Sequence, residues 1–133
     1  MLRLLLVEDN PSDVALIREA FRRCAVPPYV VIASDGQEAL EVLAKFRPDL
    51  IVLDLNLPRL SGIDLLKVFK NESRIPIAVF TGSDNPEDRK AALELGAREY
   101  LTKPSSFEGY TSAIRDILQR WSPEEATAAS TQI

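Results

Sequence analysis

The chain contains no histidine. That absence excludes histidine-based catalytic triads, histidine-ligated zinc sites and a phosphohistidine carrier, because each of these depends on an imidazole. A single cysteine, Cys24, cannot close a disulfide within the chain. This fits a reducing compartment and makes the cytoplasm the expected location, with Cys24 itself read as a small core residue. Long apolar runs are also missing. None approaches the ~20 residues that cross a bilayer, so no membrane is expected as a partner. The apolar start from Met1 to Val7 runs straight into Glu8-Asp9, too short and without a cleavage site for a secretory signal. Positive charge is in deficit, 16 Lys and Arg against 20 Asp and Glu, for a net charge of -4. A phosphate-backbone footprint needs clustered Lys and Arg, so nucleic acid is not an expected partner either.

What is present is an ordinary globular composition: 133 residues, 46% hydrophobic and 27% charged, enough for one domain with a real core. The most informative stretch is Asp49-Leu-Ile-Val-Leu-Asp54-Leu-Asn-Leu-Pro58. Leu50 to Leu53 form a short unbroken apolar run, the pattern of a strand buried on both faces of a parallel sheet. Asp54 then stands at the carboxyl end of that strand, where open α/β sheets bind their ligands.

The rest of the chain repeats this plan. Leu2 to Val7 reads as a first strand. Asn10-Pro11-Ser12-Asp13 starts a helix with Val14, Ile17, Phe21 and Cys24 at helical spacing, stopping before Pro27-Pro28. Tyr29 to Ala33 is a second strand. Asp35-Gly36 turns into a helix with Ala39, Leu40, Leu43 and Phe46 on its stripe. After the third strand, Ser61-Gly-Ile-Asp64 resembles a capping pattern for a helix that buries Leu65, Leu66, Val68 and Phe69 and ends near Asn71. Ile75 to Phe80 is a fourth strand, with Pro76 tolerable only at its start. Asp84 to Asp88 opens a helix ending at Gly96, an expected left-handed cap. Arg98 to Thr102 is a fifth strand, and a last helix from about Ser106 to Trp121 carries Phe107, Tyr110, Ile114, Ile117, Leu118 and Trp121. Residues 122–133, polar and rich in small side chains, are expected to be a flexible tail after a domain of residues 1–121.

Strands alternating with helices over short connections predict a doubly wound (βα)5 parallel sheet of the flavodoxin-like type. Its expected strand order is 2-1-3-4-5, with a switch point between strands one and three. Such a sheet lines up its strand ends along one edge: Glu8-Asp9, Asp54, Thr81 and Lys103. Three carboxylates in so small a volume force a proton on or a cation in, and one lysine does not balance them. An open carboxylate cluster suits Mg²⁺. Asp13, Asp64 and Asp88 fall in helix first turns, where the helix dipole alone accounts for an acid.

These elements (Val7-Glu8-Asp9-Asn10, Asp35-Gly36, Asp54 within Leu-Asp-Leu-Asn-Leu-Pro, Gly62, Thr81-Gly82 and Tyr100-Leu-Thr-Lys103-Pro104) resemble the receiver (CheY-like) domain of bacterial two-component response regulators. The resemblance runs from about Leu2 to Trp121. More narrowly, Glu-Asp-Asn-Pro-Ser-Asp and Asp-Leu-Asn-Leu-Pro look like the single-domain regulators that partner phytochrome kinases. The resemblance implies that Asp54 accepts a phosphoryl group from a histidine on a sensor kinase. It implies Mg²⁺ bound by Glu8, Asp9, Asp54 and the backbone carbonyl of Asn56, and a phosphoryl group contacted by Thr81 and Lys103. Tyr100 would swing inward when Thr81 moves, and Lys103-Pro104 would be a cis peptide. With no effector domain after Trp121, output is expected through contacts with another protein, or between two copies through the face of helix four, strand five and helix five.

Two other classes compete with this reading. A haloacid-dehalogenase-type phosphohydrolase also uses a strand-ending Asp, but it resembles Asp-x-Asp, and here Asn56 stands two residues after Asp54. A binding module that never takes phosphate is the third reading.

Overall fold

Short apolar runs become the middle of the molecule because nothing polar interrupts them. The computed structural model describes residues 1–72 and 74–121; the tail expected at 122–133 lies outside the described residues. The elements are β1 (Arg3–Val7), α1 (Pro11–Arg22), β2 (Tyr29–Ala33), α2 (Gly36–Leu43), β3 (Leu50–Leu53), α3 (Gly62–Glu72), β4 (Ile77–Thr81), α4 (Pro86–Glu94), β5 (Glu99–Thr102) and α5 (Phe107–Trp121). All strand pairs are parallel, and the sheet order is β2-β1-β3-β4-β5. The expected flavodoxin-like topology is therefore what the chain adopts, with the order reversing between β1 and β3.

Period-two alternation divides each central strand between two cores. Leu4, Leu6, Leu50, Val52, Ala78 and Phe80 face α1 and α5, packing on Ile17, Phe21, Ile114 and Leu118. Leu5, Val7, Ile51, Leu53, Ile77 and Val79 face the other way, onto Ala39, Leu65, Leu66, Phe69 and Ala92 of α2, α3 and α4.

Helix starts sit just past strand ends, and polar side chains hold them there. Asn10 Oδ1 accepts from the N–H groups of Ser12 and Asp13 at 2.8 and 3.3 Å. Asp35 Oδ1 accepts from Glu38 N–H at 2.7 Å, and Asn85 Oδ1 from Glu87 N–H at 2.9 Å. At α3, Asp64 N–H donates to Ser61 Oγ at 3.2 Å while that hydroxyl donates to the Asp64 carboxylate at 3.0 Å. Each satisfies backbone donors that a helix start leaves open. Gly96 follows α4 at φ 101, the left-handed position expected of it.

Four expectations need correction. β4 begins at Ile77 rather than Ile75 and runs on through Thr81, which is thus the last residue of the strand. α2 ends at Leu43, so Phe46 packs from the following loop, its ring centroid 6.0 Å from that of Tyr29 and 4.7 Å from the Arg3 guanidinium carbon. Val68 is only half-buried, being at the edge of the α3 stripe. Phe107 is 47% exposed rather than core, because it is the first residue of α5 and projects beyond the packed face.

Gly62 marks the tightest approach near the sheet edge. A Cβ there would lie 2.5 Å from Leu55 Cα and 2.7 Å from the carbonyl oxygen of Asp54, both backbone atoms that cannot step aside. At Gly82 a Cβ would meet nothing within 4 Å. Gly62→Ala is expected to lower the urea midpoint by the equivalent of about 1–3 kcal/mol, with Gly82→Ala staying within about 0.5 kcal/mol of the parent. Equal midpoints for the two variants would contradict this reading of the loop.

Candidate functional site

The register of the sheet decides what meets what. Val7 pairs with Leu53, so the next residues, Glu8 and Asp54, leave β1 and β3 side by side. Asp54 N–H donates to Val7 O at 3.0 Å, holding the acid against the end of β1. Thr81 pairs with Thr102, and Lys103 N–H donates to Thr81 O at 2.7 Å, extending the β4–β5 ladder by one rung. The side chain of Lys103 is thereby carried back across the sheet edge.

There its ammonium meets three acids. Lys103 Nζ donates to Glu8 Oε1 at 2.5 Å, to Asp13 Oδ2 at 3.1 Å and to Asp54 Oδ2 at 3.3 Å. The other oxygen of Asp54, Oδ1, accepts from the Thr81 hydroxyl at 2.7 Å and from Asn56 N–H at 3.2 Å. Glu8 is 2% exposed, Asp54 5% and Thr81 0%. Burial pushes the Glu8 carboxyl up to about 7, against the hydrogen bond from Lys103 and with added repulsion from Asp54. Burial also works against the charge of Lys103, but Glu8, Asp54 and Asp13 together more than offset it and hold the ammonium above its usual range.

The three carboxylates of the expected metal site are brought together. Glu8, Asp9 and Asp54 each present an oxygen within 4.8 Å of the others. The set is all carboxylate, with Glu8 and Asp54 buried and Asp9 exposed at the mouth. Hard oxygen donors with one open side fit Mg²⁺ or Mn²⁺ and not a thiolate- or imidazole-seeking metal. A cavity of about 450 Å³, lined by Asp9, Asp13, Asp54, Asn56, Gly82 and Lys103 among others, opens from this cluster to solvent.

Tyr100 is buried, and its hydroxyl donates to Ser83 O at 2.8 Å. Ser83 N–H in turn reaches Thr81 Oγ1 at 3.5 Å, so one loop residue touches both. Lys103-Pro104 is a correction: among the described residues no peptide bond is cis. The trans form is the lower-energy one for X–Pro by about 0.5–1 kcal/mol, and with it the Lys103 side chain already reaches all three carboxylates.

Two residues of the site were not expected from the sequence. Asp13 joins through Lys103, and its second oxygen, Oδ1, accepts from the Tyr110 hydroxyl at 2.8 Å. Burial first, then the acceptor and charge of Asp13, push the Tyr110 phenol well above its ordinary range, so it stays a neutral donor. The available signal was position: Asp13 lies in the first turn of α1, the helix that begins at the sheet edge.

A buried strand-end carboxylate faced by a hydroxyl, an ammonium and two further acids defines a class of site, one that can take an electrophilic phosphoryl group and neutralise it. The family profile of the response regulator receiver domain matches residues 4–115. The chain belongs to this family, whose general function is to accept a phosphoryl group from a histidine kinase, as phosphoacceptors rather than conventional enzymes. Response regulator MprA of Mycobacterium leprae (strain TN) is 38% identical over 128 residues, covering 94% of this chain and 54% of that protein. The chain thus spans about half the length of the curated relatives it matches. Among solved structures, the phosphorylated cyanobacterial phytochrome response regulator RcpA is similar with a TM-score of 0.87 at 34% identity, over 92% of this chain and 95% of that one. The Mn(2+)-bound form of response regulator Rcp1 gives 0.85 at 33% identity, over 91% and 94%. No helix among the described residues is long and apolar enough to cross a membrane.

The raised Glu8 carboxyl has a definite effect on stability. The folded state holds this proton to about 7, whereas the usual value is 4.5, so ionisation across that window costs stability as pH rises. Glu8→Gln keeps an acceptor for Lys103 and removes the buried charge. In the absence of divalent metal it is expected to stabilise the protein by roughly 1–3 kcal/mol at about pH 8, with the advantage vanishing below about pH 4. Urea titrations at both pH values check this; a constant difference would mean that Glu8 is not the titrating group.

Proposed function

We propose that the chain is a phosphorylation switch in which Asp54 accepts a phosphoryl group from a phosphohistidine of a sensor kinase. The observation that carries this reading is the two-sided hold on Asp54, with the Thr81 hydroxyl on Oδ1 and the Lys103 ammonium on Oδ2. A carboxylate oxygen of Asp54 attacks phosphorus, the P–N bond breaks, and the imidazole leaves on the donor protein. The donor histidine lies outside residues 1–133, which contain none.

Phosphoryl transfer asks little covalent chemistry of the acceptor, mainly in-line positioning and neutralisation of the equatorial oxygens. On this reading Lys103 and Thr81 contact two of them. Glu8, Asp9, Asp54 and the backbone carbonyl of Asn56 would hold Mg²⁺, which supplies further charge neutralisation to the phosphoryl oxygens when bound. On this reading, Thr81 moves toward the new phosphoryl group and Tyr100, tied to the same loop through Ser83, sets the shape of the face formed by α4, β5 and α5. Output is then a change in protein–protein contacts. Likeness to RcpA and Rcp1 supports a phytochrome-type kinase as donor. The single cysteine supports a reducing, cytoplasmic compartment.

Intact mass after incubation with acetyl phosphate and Mg²⁺ is expected to show one added phosphoryl group. Asp54→Asn and chelation of the metal are each expected to abolish it. Persistence of the adduct in Asp54→Asn would move the acceptor elsewhere.

The same face supports a weak homodimer. β5 is an edge strand, and Leu93 on α4 is 40% exposed beside it. Sedimentation velocity is expected to show self-association strengthened by beryllofluoride and Mg²⁺. Identical sedimentation with and without them would exclude phosphorylation-linked dimerisation.

A further inference from the structure

Asp13 and Tyr110 do more than their local surroundings require. A helix-dipole role for Asp13 needs only a negative charge in the first turn of α1, with no fixed partner. Instead both of its carboxylate oxygens are engaged across the molecule, Oδ2 by Lys103, 90 residues away, and Oδ1 by Tyr110, 97 residues away. Tyr110 is likewise more than core filling. Its ring is 4% exposed and meets Phe80 edge-on, centroids 5.0 Å apart at 76°. Phenylalanine would fill that space equally well. The hydroxyl is tolerated because it has an acceptor, and that acceptor is Asp13.

We propose that Tyr110 and Asp13 are positioning residues that aim the Lys103 ammonium at the phosphoryl group on Asp54. The inference rests on the phosphoacceptor reading and adds to it the two residues that set the geometry of the lysine.

The chain of restraint runs one way. Phe80 fixes the Tyr110 ring, the Tyr110 hydroxyl fixes the Asp13 carboxylate, and Asp13 fixes one N–H of Lys103. An ammonium has three N–H bonds. Here Glu8 takes one, Asp13 takes one, and the third points to Asp54 Oδ2. When Asp54 carries a phosphoryl group, this third N–H is the one that faces it. A free lysine side chain has rotamer freedom to lose on being ordered; here that ordering is complete before transfer begins. Asp13 also brings a negative charge near an incoming anion, which by itself would slow transfer. Donation from Tyr110 draws that charge toward α5. Tyr110→Phe therefore separates position from charge: it keeps the ring and the Asp13 carboxylate and loses only the hydrogen bond between them.

The experiment measures phosphoryl uptake from acetyl phosphate at saturating Mg²⁺, together with the ¹⁹F spectrum of the beryllofluoride complex. It is applied to the parent, Tyr110→Phe, Asp13→Asn and each of these in a Lys103→Met background. Tyr110→Phe and Asp13→Asn are expected to slow uptake by about tenfold, the lower end of what loss of an orienting partner costs, with the Mg²⁺ midpoint unchanged. The fluorine facing Lys103 should shift and the one facing Thr81 should not. In the Lys103→Met background neither substitution should slow uptake further, because the group they position is gone. Wild-type uptake and an unchanged fluorine spectrum in Tyr110→Phe would overturn the proposal, as would an equal effect with Lys103 removed. A parent protein that takes up neither phosphoryl nor beryllofluoride would instead overturn the phosphoacceptor reading, and this inference with it.

Discussion

One ammonium shared among three carboxylates holds the functional end of the molecule together. Glu8 comes from the end of β1, Asp54 from the end of β3, Asp13 from the first turn of α1, and Lys103 from the end of β5. No two of them are near in sequence except Glu8 and Asp13, and the group exists only when the sheet is assembled. Charge does not balance there. Lys103 offsets one of three acids, and Asp9 adds a fourth at the rim. A low-dielectric site with surplus negative charge has two ways to settle, by keeping a proton or by taking in a cation. Burial of the Glu8 carboxyl favours the first, and the cluster of oxygens facing the cavity offers the second.

The apolar part of the fold serves that arrangement by being short and stiff. Strands of four or five residues end on the same edge, and capped helix starts turn the chain away at once. The close pass of Gly62 over the backbone of Leu55 and Asp54 keeps the loop after β3 tight, so that Asn56 N–H stays within reach of the Asp54 carboxylate. A looser loop would leave the same residues present but badly aimed.

Much of this was legible in the sequence because it is local. The apolar run Leu50 to Leu53 read as an interior strand, and Asn10, Asp35 and Ser61 announced their helices by short-range hydrogen-bonding chemistry. Strand-end residues could be gathered without coordinates, since doubly wound topology places all such ends on one edge. What escaped was long-range. Asp13 had a sufficient local explanation, which concealed its second role, and Tyr110 sat on an apolar stripe where only its ring was counted. Phe107 failed for the opposite reason: helical spacing put it on the buried stripe, but the first residue of a helix has no neighbour beyond it to complete the pocket. The isomer of Lys103-Pro104 was carried over from a resemblance, and no residue of this chain demanded it.

The alternation of β5 has a further consequence. Tyr100 belongs to the core beneath α2, α3 and α4, while Leu101 packs against the core beneath α1 and α5. Lys103, two residues on from Leu101, keeps to the second side and reaches Asp13 of α1, which binds Tyr110 of α5. Thr81 and Tyr100 keep to the first and meet the loop before α4 through Ser83. The two oxygens of Asp54 are therefore wired to opposite layers of the sandwich. A change in charge on that one side chain would be felt in stereo: one channel to the α1–α5 layer, another to α4, with the sheet between them as the partition.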